Sequence, residues 1–151
     1  MNLELRAVDA GDAEAQKLMG DLDLELNRRY PGVPTNGIDA AEFRAAGGCF
    51  VLLCCGGEPV GCGALRPAGA DCVEIKRMFV RETHRGRGYA RLILQRLEEL
   101  AQCRGCWRIV LETGVGQPEA IGLYESAGYV RIPNYGHYAG NTDSVCFAKQ
   151  T

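Results

Sequence analysis

Arg85-Gly86-Arg87-Gly88-Tyr89-Ala90 sets two glycines among arginines directly before an amphipathic run with Ala90, Ile93, Leu94, Leu97, Leu100 and Ala101 at helical spacing. A glycine-rich helix start offers unpaired backbone N–H groups at the positive end of the helix dipole, and small residues let an anion approach them. The chemistry predicted here is phosphate or pyrophosphate binding. The surrounding charge agrees, since residues 76–96 hold seven Lys/Arg against one acidic residue, leaving -8 for the rest of a chain of net charge -2. Two nucleotide patterns fail at this turn. GxxxxGK[ST] is absent, and Gly86-x-Gly88-x-x-Arg91 lacks the third glycine of the dinucleotide fingerprint. Nucleic acid is the rival reading of a basic stretch, but the acidic remainder would repel a polyanion and few aromatics are interleaved to stack bases, so no nucleic-acid partner is expected.

Other reactive side chains are weaker leads. Cys103-x-x-Cys106 falls at the end of the predicted helix, where the dipole disfavours a thiolate, and no second pair stands at zinc-site spacing. Eight cysteines lying singly or adjacent in apolar runs such as CFVLLCC read as reduced core residues. His84 and His137 are too scattered for a metal cluster, so no metal is expected. Arg28-Arg29-Tyr30, Arg77, and Tyr135 with His137 in PNYGHY are candidates for the lining of a second-substrate pocket, where arginines favour a ligand bearing a carboxylate or phosphate.

The elements that must position these groups follow from periodicity and punctuation. LELRAV alternates as a strand. Asp12 can cap a helix with Ala15, Leu18, Met19, Leu22 and Leu26 on one face, ending near Tyr30 before Pro31. PGVPTNGID reads as a loop and DAAEFRAAGG as a short helix closed by glycine. CFVLLCC and VGCGALRP flank a glycine turn as a hairpin, and DCVEIKRMFV is a fourth strand whose period of two sets Glu74, Lys76, Met78 and Val80 opposite Val73, Ile75, Arg77 and Phe79. After the long helix come strand WRIVLET, helix QPEAIGLYESAG with Pro118 in its first turn and Gly128 at its end, and closing strands YVRI and SVCFAK. Strand–helix alternation in the second half with a hairpin in the first predicts an α/β (α+β) domain. Its sheet is mixed, mostly antiparallel and six- to seven-stranded, with a central parallel pair and about four helices. At 151 residues and 46% hydrophobic composition, one domain over residues 1–151 is expected. The early charges and the lack of a long apolar run predict no signal peptide, no membrane span and a cytoplasmic location.

Arg85 to Ala90 is similar to [QR]-x-x-G-x-[GA], the pyrophosphate-binding motif of the GNAT superfamily of N-acetyltransferases. The stretch from Gln117 to Tyr129 resembles that superfamily's N-x-x-A-x-x-L-Y-x-x-x-G-[FY] with its spacing kept, Gln117 replacing the usual Asn. The specific resemblance spans residues 72–130; upstream, only the element order agrees. It implies acetyl-CoA as cosubstrate, with the backbone of Met78, Phe79 and Val80 pairing with the pantetheine arm and Arg85, Gly86, Arg87, Gly88, Tyr89 and Ala90 receiving the pyrophosphate. Gln117 would add an amide contact. It further implies an oxyanion donor among the strand N–H groups near Met78 or Phe79, Tyr124 as the acid beside the leaving thiolate, and Glu74, fourteen residues before Gly88, at the spacing of the base in histone-type members.

The function expected is transfer of an acetyl group to a primary amine of an amino-acid-like or anionic small molecule, by direct attack in a ternary complex. Acetylation of a protein amine, a longer acyl-CoA, and a non-catalytic CoA-binding sensor remain open, as do His137 or water as the base. The closing strands leave room for a homodimer.

Overall fold

The computed structural model describes residues 2–35 and 37–151; the sequence-predicted loop over residues 31–39 contains Asn36, which lies outside the described residues. Strand β1 (Leu3–Val8) is followed by helices α1 (Ala13–Arg29) and α2 (Ala40–Ala45), then by strands β2 (Cys49–Cys55), β3 (Glu58–Pro67) and β4 (Cys72–Val80). Helix α3 (Tyr89–Cys103), strand β5 (Arg108–Gly114), helix α4 (Pro118–Ser126), and strands β6 (Val130–Ile132) and β7 (Ser144–Gln150) complete the order. The caps are those the sequence specifies. Asp12 Oδ1 accepts from the N–H groups of Glu14 at 2.9 Å and Ala15 at 3.2 Å, and Asp39 accepts from Glu42 N–H at 2.9 Å.

All seven strands form one sheet in the order β1-β2-β3-β4-β5-β7-β6. Neighbours are antiparallel except β4 and β5, which run parallel, so the mixed sheet with one central parallel pair is observed. Helices α3 and α4 pack on one face over Leu53, Leu65, Ile75, Leu111 and Phe147, with Ile93, Leu94 and Leu97 supplied by α3. Helices α1 and α2 cover the other face over β2 to β4, where Leu18, Leu22 and Phe43 meet Phe50, Leu52, Ala64 and Phe79.

Two irregularities in β4 create the site. Parallel pairing with β5 runs only from Cys72–Arg108 to Ile75–Leu111, so from Lys76 and Glu112 onward the two strands part. The register between β3 and β4 also shifts between Cys62 and Ala64, where Arg77 takes a left-handed φ of 58°. That bulge corrects the alternation predicted for this strand. Met78 and Val80 fall on the α3 face with Val73 and Ile75, while Arg77 and Phe79 turn to the α1 face with Glu74 and Lys76. One extra residue in a strand reverses every side chain beyond it.

Candidate active site

Where β4 and β5 part, the structure opens a cavity of about 480 Å³. Its walls are β4 from Ile75 to Val80, Glu112 and Thr113 of β5, the turn before α3 and the start of that helix, α4 residues between Glu119 and Tyr124, Leu22, Glu25 and Leu26 of α1, and Tyr138. The cavity lies outside the carboxyl ends of two parallel strands, where open sheets with helical crossovers place their ligands.

At the floor of the turn, Gly86 and Gly88 have φ of 77° and 80°, a region costly for any residue with a Cβ, and a Cβ at either would meet nothing within 4 Å. These glycines serve the backbone's conformation and leave its surface open to an anion. Gly88 is the N-cap of α3 and has no side-chain cap, so the first N–H groups of that helix stay available. Arg85 behaves differently. Its guanidinium turns back, donating to Val80 O at 2.8 Å and pairing with Glu25 at 2.7 Å, which ties the turn to α1. Arg87 is exposed beside the turn, and Arg91 lines the cavity while bonded to Ser126 of α4.

Further along, the β4 edge at Met78 and Phe79 has no β5 partner, and both residues line the cavity with Val80, Tyr89, Ala90 and Gln117. Tyr124 is 5% exposed and faces the same space. Burial and the nearby Glu112 charge push its phenol well above the ordinary value, so it stands protonated, and among the described residues no group bonds its hydroxyl.

The remaining sequence-derived residues are not all brought to the cavity. Glu74 is 3% exposed and lies off the lining, its Oε1 held by Arg66 at 2.9 Å and its Oε2 accepting from Tyr135 O–H at 2.7 Å. Tyr135 is thereby committed to Glu74. His137 is exposed and packs its ring on Tyr138, with centroids 4.0 Å apart. Arg29 pairs with Glu119 at 2.6 Å, and Tyr30 O–H accepts from Gly116 N–H at 3.0 Å, so both fasten α1 to the turn between β5 and α4. Arg77 does line the cavity, but its guanidinium donates to Met19 O and pairs with Asp23 at 2.7 Å.

Glu112 was not singled out in the sequence. It is the first β5 residue beyond the parallel register, accepts a 2.6 Å bond from Ser144 O–H, and has its pKa raised by burial. A lone acid directly after the apolar run Ile109-Val110-Leu111 was the available signal, but it becomes meaningful only once β4 and β5 are known to part there.

The sequence model of the acetyltransferase (GNAT) family matches residues 15–129. The chain belongs to the GNAT family. Among curated relatives, the IAA acetyltransferase of Azospirillum brasilense is 33% identical over 139 residues, covering 91% of this chain and 90% of that protein. YsnE of Bacillus subtilis, described as an uncharacterized N-acetyltransferase, is 36% identical over 97 residues, 63% of this chain and 64% of its own. A Klebsiella pneumoniae structure, described provisionally as an acyl-CoA N-acyltransferase, superposes with a TM-score of 0.82 at 27% identity, covering 98% of this chain and 97% of that one. A GNAT acetyltransferase from Elizabethkingia anophelis with acetyl-CoA bound shares the fold, with a TM-score of 0.73 at 19% identity over 99% of both chains. As a GNAT protein the chain is an acyltransferase and acetyl-CoA is its cosubstrate. The residues present fit that molecule: an open glycine-lined helix start for a pyrophosphate, a free strand edge for an amide-bearing arm, and a protonated phenol in the same cavity.

Proposed function

We propose that this GNAT enzyme transfers the acetyl group of acetyl-CoA to the primary amine of a small molecule by direct attack in a ternary complex. The observation that carries this reading is the convergence of Glu112 and Tyr124 on one cavity at the parting of β4 and β5. Backbone N–H groups from Arg87 to Ala90 hold the pyrophosphate, the edge from Met78 to Val80 pairs with the pantetheine arm, and Gln117 adds an amide contact.

Acetyl-CoA supplies an activated thioester carbon. An alkylammonium of pKa about 10.4 costs about 4.6 kcal/mol to deprotonate at pH 7, so a positioned base matters. Glu112 takes that role in preference to Glu74, because its carboxylate borders the cavity while both oxygens of Glu74 are occupied. A strand N–H near Met78 or Phe79 donates to the developing oxyanion. Tyr124 donates to the departing sulfur. Reference values of about 10 for a phenol and 8.5 for a thiol make full proton transfer uphill by roughly 2 kcal/mol, so a hydrogen bond to the thiolate is the economical form of this help.

The test is thiol release from acetyl-CoA with a panel of primary amines, with the acetylated products identified by mass. Glu112→Gln and Tyr124→Phe are each expected to lower kcat about 10²- to 10⁴-fold while leaving KM for acetyl-CoA within a few-fold. Full turnover in Glu112→Gln would remove that residue from the mechanism, and acetyl-CoA binding without turnover of any amine would overturn the reading.

A further inference from the structure

Lys76 and Glu112 are the first residues of β4 and β5 past the last parallel pair, Ile75–Leu111. Side chains alternate along a strand, so both project to the face opposite Ile75 and Leu111, the face where α1 lies. Both line the cavity. Neither is held in an ion pair. Among the described residues Lys76 Nζ reaches only the Tyr138 hydroxyl, at 3.5 Å, and Glu112 only the Ser144 hydroxyl; neither forms an ion pair. Each feels the other's opposite charge without contact, while Glu74 is bonded to Arg66 and Tyr135 and Arg77 to Asp23. Burial outweighs these opposing charges and disfavours the charged form of both, lowering the pKa of Lys76 and raising that of Glu112.

A half-buried ammonium and a half-buried carboxylate on one wall, close enough to feel each other's charge but not joined in an ion pair, are complementary to a ligand that carries both charges and can bridge them. We infer that Lys76 forms a carboxylate subsite, so that the acyl acceptor is a small amino acid whose amine meets Glu112 and whose carboxylate meets Lys76. This rests on reading the cavity as the acceptor site. The proposed anion-binding group is thus a lysine of β4, while of the arginines singled out from sequence Arg29 and Arg77 are engaged in intramolecular pairs and Arg28 is exposed, off the cavity lining.

Matched acceptors test it: the common L-amino acids with β-alanine and γ-aminobutyrate, each against its carboxamide. The wild type is expected to favour carboxylates over their amides by about tenfold or more in kcat/KM. Lys76→Met is expected to raise KM for carboxylates about 10- to 100-fold more than for amides, with KM for acetyl-CoA held within a few-fold, and Lys76→Arg to keep part of the preference. Equal use of acids and amides by the wild type, or equal losses for both in Lys76→Met, overturns the subsite. If no amine of either set is acetylated, the proposed activity fails while the subsite is still decided by melting the protein with CoA and each acid. A carboxylate-dependent rise in Tm that is absent from Lys76→Met supports it, and no such rise overturns it.

Discussion

Glu74 and Glu112 are two acids on neighbouring strands of one sheet face, and their surroundings give them opposite uses. Glu74 sits beside Val110 within the paired register and is closed by Arg66 and Tyr135; Glu112 sits one step past that register and meets the cavity. The folded state raises the pKa of Glu112 above its unfolded value of about 4.3, because burial opposes its charge more than the Ser144 bond favours it. A raised carboxylate pKa contributes stability that is complete below about pH 4 and is lost as pH rises through the folded value. Glu112→Gln keeps the neutral form at every pH. We therefore expect this variant to melt higher than the wild type near pH 7.5 and to converge with it near pH 4, in calorimetry across that range; a lower Tm at neutral pH would contradict the assignment. Glu74→Gln is expected to go the other way, losing about 1–3 kcal/mol by weakening the bonds of Arg66 and Tyr135. Nothing in the spacing of VEIKRMFV distinguishes a closed acid from an open one, since the closing groups come from β3 and from the segment after β6.

At the scale of elements, hydrophobic period, caps and glycines located the strands and helices, because those signals are local. The bulge in β4 was not legible. Strict alternation is the sequence signature of a regular strand, and the break at Arg77 is fixed by β3, where Gly63 stands opposite the extra residue. Gly63 also serves α3. A Cβ there would lie 2.8 Å from Ile93 Cγ2, 2.8 Å from Met78 Sδ and 2.9 Å from Leu97 Cδ1. The helix that carries the glycine turn thus rests on β3 at a position without a side chain, and the bulge that directs Met78 to that face completes the fit. Gly63→Val is expected to cost about 1–3 kcal/mol by overpacking and to raise KM for acetyl-CoA, since displacing α3 moves the turn at its start. Denaturant unfolding and steady-state kinetics check both parts; a variant of unchanged stability would show that α3 can shift freely.

Over the whole molecule, the basic run of residues 76–96 borders the cavity from β4 to α3, but its formal charge overstates its field. Arg77, Arg81 and Arg85 pair with Asp23, Asp21 and Glu25 of α1, each at 2.7 Å, and Arg96 pairs with Glu99 at 3.1 Å. The three ties to α1 clamp it across the cavity, and the Arg29–Glu119 pair joins the end of α1 to α4. Sequence shows both sets of charges but not that they face each other, because the partners lie more than fifty residues apart. The clamp matters because β4 and β5 share only four residue pairs and the core beneath α1 and α2 stops at β4, leaving α3, α4 and their core to hold the two halves of the sheet together. A cosubstrate lying in the parting contacts both halves and stabilises the folded chain by mass action, about 2.7 kcal/mol at a hundredfold excess over Kd. For a chain of this size that corresponds to a rise of roughly 5–10 °C in Tm with saturating acetyl-CoA. The rise should shrink in Gly88→Ala, whose Cβ strains the left-handed turn at φ 80°. A melting curve insensitive to millimolar acetyl-CoA, or an undiminished rise in Gly88→Ala, would place the cosubstrate away from the glycine turn.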